Sequence, residues 1–238
     1  CPCDLTCAFE DCRYLKKVKN LDKLISITSL ESTFTNADVE ELTFSEIPDT
    51  NSISLNRAFC YCSSLKNINN LDRFRNISSL ESAFRSCSCS HLSFSTFPNN
   101  NKLNLNNTFM YCTQLKNLDL RVFTNIEYIG NTFKGCRSLD TLKLSFNLEK
   151  TKGGDFFEEC SPNVLIYLPD SVKSIENTYG MTHYVLPITN VFVNLTSKDS
   201  FKCQILPNYV VSQDTVWKCT FRSGDTIVKK LSDDLLSQ

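Results

Sequence analysis

Thirteen cysteines and two histidines are the side chains of this 238-residue chain with the most to offer chemically. Thiols form disulfides, bind soft metals and act as nucleophiles; imidazoles ligate metals and move protons. Six cysteines, Cys12, Cys62, Cys87, Cys112, Cys136 and Cys160, share a period of 24 or 25 residues, with Ala37 in the second slot. Cys1, Cys3, Cys7, Cys60, Cys89, Cys203 and Cys219 follow no period. His91 and His183 stand far apart, and neither joins a Cys/His or Ser/His/Asp constellation. Gly153-Gly154 lacks the following Lys-Ser/Thr of a phosphate cradle. Glu158-Glu159 and Asp233-Asp234 read as solvated faces. An enzyme needs positioned acids, bases or nucleophiles, so the expectation is no catalysis and no cofactor.

The periodic cysteines are explained by packing. Phe9, Phe34, Phe59, Phe84, Phe109, Phe133 and Phe157 stand three residues before each slot, and Tyr179 marks a weaker eighth copy. Four residues before the anchor stand Leu5, Leu30, Leu55, Leu80, Leu105, Ile129 and, after a break at Gly153, Ile175. Six residues after it come Leu15, Leu65, Leu115, Leu139 and Val185, then Val18, Ile68, Leu118, Leu142 and Ile188. The second and fourth copies run one residue shorter, with Leu42 and Phe44, and Leu92 and Phe94. A fixed period of this length defines a solenoid, in which each rung buries its apolar face only against its neighbours. The L-x-x-L-x-L runs at Leu115–Leu120 and Leu139–Leu144 suit short strands with alternate residues inward. The anchor half reads either as a turn of helix or as a second extended segment. Residues 8–33 closely match 58–83, and 34–58 match 84–108 more loosely, so the duplicated unit is two rungs.

The run AFxxCxxLxxI, TFKGCRSLDTLKL at 132–144 and LPDSVKSIENTY at 168–179 together resemble the BspA-like leucine-rich repeat family. The resemblance covers roughly residues 5–190. The chain departs from the family pattern in lacking the connector proline in most rungs and in its few glycines. The resemblance implies a leucine-rich repeat of the right-handed β/α type, a horseshoe or arc with a parallel strand ladder. It also implies a non-enzymatic, surface-exposed adhesion or binding role, in bacteria or protists, with no particular partner specified.

The expected organisation is a solenoid over 1–190, of about eight rungs of 22–25 residues, and a β-rich capping module over 191–238. In the cap, VFVNL, QILPNYVV and TVWKCTF read as strands, Arg222–Asp225 as a turn and Ile227–Leu236 as a terminal helix. A cap of this kind covers an open solenoid end.

Lys plus Arg (25) nearly cancels Asp plus Glu (26), which argues against a nucleic-acid or anionic-membrane surface. No apolar stretch approaches the ~20 residues of a membrane span. The chain begins at Cys1 rather than Met and reads as a mature fragment.

The periodic cysteines are expected as a reduced, buried ladder, because parallel stacked side chains do not approach with disulfide geometry. Cys203 and Cys219 are the expected disulfide, stapling a module with little core. A zinc site on Cys1, Cys3, Cys7 and Cys12 is disfavoured, since C-x-C-x3-C-x4-C lacks the paired C-x2-C spacing, and no metal is expected. Pairing of Cys60 with Cys89 across one rung is a further alternative. Asn76, Asn106 and Asn194 begin N-x-S/T sequons. With the cysteine count they point to an extracellular or cell-surface glycoprotein. The alternative is a cytoplasmic scaffold, its cysteines all reduced, built into a larger assembly.

The expected working surface is the outward half of the strand ladder. Its columns read Lys16, Glu40, Lys66, Ser90, Lys116, Asp140; then Lys17, Glu41, Asn67, His91, Asn117, Thr141; then Lys19, Thr43, Asn69, Ser93, Asp119, Lys143. They are polar, mixed in sign and free of aromatics. Such a face suits wet recognition of a protein or glycan better than an apolar pocket does. A plain soluble face of a spacer is the competing explanation. Tyr61 and Tyr111, two residues after their anchors, read either as a second exposed face or as partly buried.

Overall fold

The architecture comes from a computed structural model, which describes residues 3–45, 52–74, 76–94, 102–145, 157, 159–161, 164–168, 190–194, 218–222 and 228–230. Among the described residues fifteen short strands follow one another: β1 (Cys3–Asp4), β2 (Ile27–Ser29), β3 (Glu41–Thr43), β4 (Ile53–Ser54), β5 (Asn67–Asn69), β6 (Ile77–Ser79), β7 (His91–Leu92) and β8 (Leu103–Asn104). The second half adds β9 (Asn117–Leu120), β10 (Ile126–Tyr128), β11 (Thr141–Leu144), β12 (Leu165–Leu168), β13 (Asn190–Asn194), β14 (Lys218–Arg222) and β15 (Val228–Lys230).

These strands form two sides of a coil. Before each anchor, β1, β2, β4 and β6 pair in parallel, and β8 pairs with β10 in the same way. After the anchor, β3 pairs with β5, and β7, β9, β11, β12, β13 and β14 form a second parallel ladder. Every parallel pairing partner lies about one period away, so each rung stacks directly on its neighbour. The result is a parallel-strand repeat solenoid.

The anchor segment is neither of the two forms the sequence left open. It is a chain of overlapping turns. In the third rung the N–H groups of Ala58, Cys60 and Cys62 donate three residues back, to Leu55, Arg57 and Phe59. The alternate N–H groups of Arg57, Phe59 and Tyr61 donate to Glu81, Ala83 and Arg85 of the next rung, at 2.7–2.9 Å. Every amide is thereby satisfied inside the stack. Two left-handed residues per rung turn the chain: Arg57 and Tyr61 (φ 55° and 60°), Ser82 and Ser86 (55° and 56°), Asn107 and Tyr111 (56° and 59°), Asn131 and Gly135 (55° and 74°). A non-glycine residue there costs about 1–3 kcal/mol, offset by the hydrogen bonds it permits. Among the described residues the remaining helical turns are 3-10, at Leu21–Lys23 and Leu71–Arg73, each entered through a left-handed asparagine, Asn20 or Asn70.

A polar corner leads into the first five anchor turns. The side-chain oxygens of Asp4, Ser29, Ser54, Ser79 and Asn104 each accept the N–H two residues on, at 2.9–3.3 Å. Short oxygen-bearing side chains favour this turn because they mimic a backbone carbonyl.

The core is a single hydrophobic cluster running from Leu21 to Val164. Its spine is the anchor column: seven phenyl rings from Phe9 to Phe157 stack successively, with centroids 5.2–6.0 Å apart and planes within 19°. Phe44, Phe74, Phe94 and Phe123 form a second buried column and meet each other or the spine, mostly edge to face. Each fully buried phenyl contributes about 1.5–3 kcal/mol relative to exposure.

In the C-terminal region, β13 and β14 carry the VFVN and KCTF runs in strands, continuing the ladder of β12. The expected terminal helix is corrected at its start. Val228–Lys230 is a strand, antiparallel to β14, with Arg222 paired to Val228. The anchor Tyr179, His183 and the QILPNYVV run lie outside the described residues.

Candidate recognition face

The second ladder brings the expected columns together. Lys17 bridges to Glu41, and Glu41 and Thr43 stand opposite Asn67 and Asn69. His91 pairs with Asn117, which pairs with Thr141, and Asp119 pairs with Lys143. Alternation along each strand fixes the facing: Leu42, Leu92, Leu118 and Leu142 are buried, while Lys17, Glu41, Asn67, His91 and Asn117 are exposed. Lys16, Lys19, Lys66, Asn69, Lys116 and Asp140 are exposed too, and Asp119 and Lys143 are half-buried.

Two adjoining concavities lie on this face. One, of about 640 Å³, is lined by Asn67, Asn69, His91, Ser93, Asn117, Asp119, Thr141 and Lys143 over a floor of Ile68, Leu92 and Leu118. The other, of about 620 Å³, is lined by Glu40, Ser63, Ser64, Lys66, Asn67, Ser88, Ser90 and Gln114. Both cross a seam. Among the described residues, β3–β5 and the ladder that starts at β7 are separate hydrogen-bonded units.

Local bonds hold several face groups in place. Asp38 accepts from the Lys16 ammonium and the Ser64 hydroxyl, linking three rungs. The Lys16 ammonium, then the hydroxyl, hold its carboxyl below the usual carboxylate range, and Asp38 raises the Lys16 ammonium in return. Arg121 grips Asp119 through Nε (2.9 and 3.1 Å) and Nη2 (2.6 Å), which lowers the Asp119 carboxyl. Asn69 donates to Glu41 (2.8 Å) and Thr43 (3.0 Å), and Ser90 shares a 2.9 Å hydrogen bond with His91 Nδ1.

The thiol column sits behind the face. Ten cysteines have described side chains and all ten are free; Cys60 and Cys89 are buried and unbridged. The ladder thiols have a specific partner: Cys62, Cys112 and Cys136 donate to the carbonyls of Phe34, Phe84 and Phe109 in the preceding rung, at 2.9–3.0 Å. Burial pushes Cys62, Cys112 and Cys136 up, and Cys160 up to about 12. These thiols are structural donors shielded from reaction.

A companion column went unread in the sequence. Thr33, Thr108 and Thr132, just before their anchors, are fully buried, and each donates to the carbonyl of Leu5, Leu80 or Leu105 one rung back, at 2.8 Å. Their alternation with Ala8, Ala58 and Ala83 was the available signal.

Tyr61 is exposed and Tyr111 half-buried, and each ring packs on a neighbouring rung. The guanidinium of Arg85 lies 5.5 Å from the Tyr61 ring centre, and the Tyr111 ring lies over Gly135, so close that a Cβ there would stand 2.2 Å from Tyr111 Cδ1. Asn76 and Asn106 are half-buried, and the Asn106 carbonyl accepts the Gly130 N–H at 2.6 Å. Asn194 ends β13, with its side chain outside the described residues, as are Cys203 and the Cys219 side chain. Among the described residues no group of His, Cys, Asp or Glu could hold a metal ion, and no helix is long and apolar enough to cross a membrane.

Stacked parallel coils with an aromatic spine and a leucine-bearing strand ladder define a leucine-rich repeat solenoid. The family model described as "BspA type Leucine rich repeat region (6 copies)" matches residues 6–116 and 57–184. The chain belongs to that family. No curated protein and no solved structure matches significantly.

Proposed function

We propose that this chain is a non-catalytic binding module, extracellular or at the cell surface, that recognises a polar protein or glycan through its second strand ladder. The observation that carries this reading is the groove over Asn67, Asn69, His91, Asn117, Asp119 and Lys143. It offers donors, acceptors and both signs of charge along one concave strip, over a narrow apolar floor. Hydroxyl-rich or polar peptide ligands match such a lining, since each polar group gives up water for a comparable hydrogen bond. The family supports a repeat protein of this general kind.

The experiment is binding of the purified protein to arrays of immobilised glycans and extracellular proteins, repeated with Asn67→Ala plus Asn117→Ala. A ligand bound by the wild type and weakened at least tenfold by the pair supports the reading. Ligands that bind both proteins equally count against this face.

One observation favours a second reading, a scaffold in a reducing compartment: the ten cysteines with described side chains are all free. Intact mass of protein from its native source, with and without reduction, separates the two. The surface reading expects a Cys203–Cys219 disulfide and glycans on Asn76, Asn106 or Asn194. The scaffold reading expects thirteen free thiols and bare asparagines.

A further inference from the structure

Within the ladder Cys87 is the thiol that meets another thiol. The thiols of Cys62, Cys112 and Cys136 reach the anchor carbonyl of the rung before. Cys87 instead lies 3.3 Å, sulfur to sulfur, from Cys89, and the Cys89 thiol donates to the Leu65 carbonyl at 3.3 Å. The two stand at i and i+2 on an extended stretch, so both point inward while Ser88 points out. Sequence gives an independent sign. In the duplicated two-rung unit, residues 34–58 correspond to 84–108, and there Ala37 and Val39 stand where Cys87 and Cys89 stand. Both thiols occur together in one copy and are missing together from the other.

We propose that Cys87 and Cys89 are a redox-active dithiol, closed by a peroxide into a reversible disulfide within one rung. The Cys87 sulfur attacks one peroxide oxygen, the O–O bond breaks, and one water leaves as a sulfenic acid forms. The Cys89 sulfur attacks that sulfenic sulfur, the S–S bond forms, the S–O bond breaks and a second water leaves. Two thiols lose two electrons and two protons in all, and one peroxide becomes two waters. A dithiol reductant reverses the change by thiol–disulfide exchange.

The surroundings suit this step. Both sulfurs are 1–2% exposed, yet Ser88 and Ser90, which flank Cys89, line the 620 Å³ concavity, giving a water-sized oxidant a short route. Contact between the two thiols sets them apart, holding Cys87 down and pushing Cys89 up, which makes Cys87 the attacking sulfur. The neighbouring ladder thiols are occupied with the Phe34 and Phe84 carbonyls, which directs pairing within the rung. Closing the disulfide removes the thiol donor at Leu65, beside the seam between β5 and β7.

The sequence allows a clean assay. Trypsin cuts after Arg85 and Lys102, releasing residues 86–102, which contain Cys87 and Cys89 and no other cysteine. The protein is reduced, treated with hydrogen peroxide, alkylated in denaturant, then reduced and alkylated again with a heavy reagent. The proposal expects both sites of that peptide to take the heavy label together, while Cys62, Cys112 and Cys136 stay light. It also expects backbone amides of residues 66–69 and 90–92 to exchange roughly five- to thirty-fold faster after oxidation. Cys89→Val, which restores the residue of the sister rung, should stop Cys87 at the sulfenic acid, trapped by dimedone, and abolish the exchange change. The proposal is overturned if both sites stay light at a peroxide dose that oxidises exposed Cys7, or if either pairs with Cys60 or Cys112.

Discussion

Phe34 and Phe59 lie one above the other, ring centres 6.0 Å apart and planes 8° from parallel, although 25 residues separate them. The same relation repeats from Phe9 to Phe157, so each ring between those two is sandwiched and its loss is felt in two rungs. Phe59→Ala and Phe84→Ala should each destabilise the protein by about 3–5 kcal/mol, read from urea unfolding. Phe59→Leu should cost clearly less. A cost below about 1 kcal/mol at both alanine sites would show that the rings do not form a packed spine.

Gly135 and Tyr111 predict a second outcome. Gly135 has φ 74°, and the Tyr111 ring occupies the place of its missing side chain. Gly135→Ala should therefore destabilise by more than the ~1–2 kcal/mol of left-handed backbone strain alone. Adding Tyr111→Ser should recover the steric part and leave the backbone part, as a double-mutant cycle reads directly.

Those two cases show how far the sequence was legible. Columns of identical apolar type spaced by 24 or 25 residues expose the spine, and strand alternation then fixes the outward columns from Lys17 to Thr141. The anchor segment was illegible because its left-handed positions are mostly Ser, Arg, Tyr and Asn rather than glycine. Tertiary hydrogen bonds between rungs hold those residues there against local preference. The threonine column was missed because threonine alternates with alanine, hiding a buried hydroxyl among small residues. The departure of Cys87 from its column is set by Cys89, a pairwise effect that no single column reveals. The seam beside β7 depends on backbone register, which side-chain pattern alone leaves free.

Thr108→Val keeps the shape of a buried side chain and deletes its hydroxyl, leaving the Leu80 carbonyl without that donor. The expected cost is about 1–3 kcal/mol by chemical denaturation. Val at the exposed Thr124 should cost less than about 0.5 kcal/mol.

Thiol reactivity should divide along burial. In the native reduced protein a disulfide reagent at pH 8 should react first with exposed Cys7 and half-exposed Cys3 and Cys12. Cys62, Cys112, Cys136 and Cys160 should react only on unfolding, since burial raises each of them. Peptide mapping after a timed pulse gives the order.

Asp38 sets a pH response. Its folded carboxyl is lowered by Lys16 and Ser64, so its contribution is present above the unfolded value of about 3.9 and is lost as pH falls through the folded value. Lys16 is raised, so its share persists below its unfolded value of about 10.4 and is lost as pH rises through the folded value. Stability should therefore be level from pH 5 to 9 with respect to this pair. Asp38→Asn should flatten the acid-side decline measured below pH 4. Lys16 is exposed and Asp38 half-buried, so raised salt should shrink the difference.

The role of the strand face is tested most directly by reversing its charge. Lys66 and Lys116 are exposed and lie far from the phenyl spine, so Lys66→Glu with Lys116→Glu should leave the unfolding midpoint nearly unchanged. The measurement is the affinity of this double variant, against wild type, for a ligand found on the arrays. A fall of tenfold or more, with Arg13→Glu as an unaffected control, is the predicted result. Unchanged affinity would contradict recognition by this face.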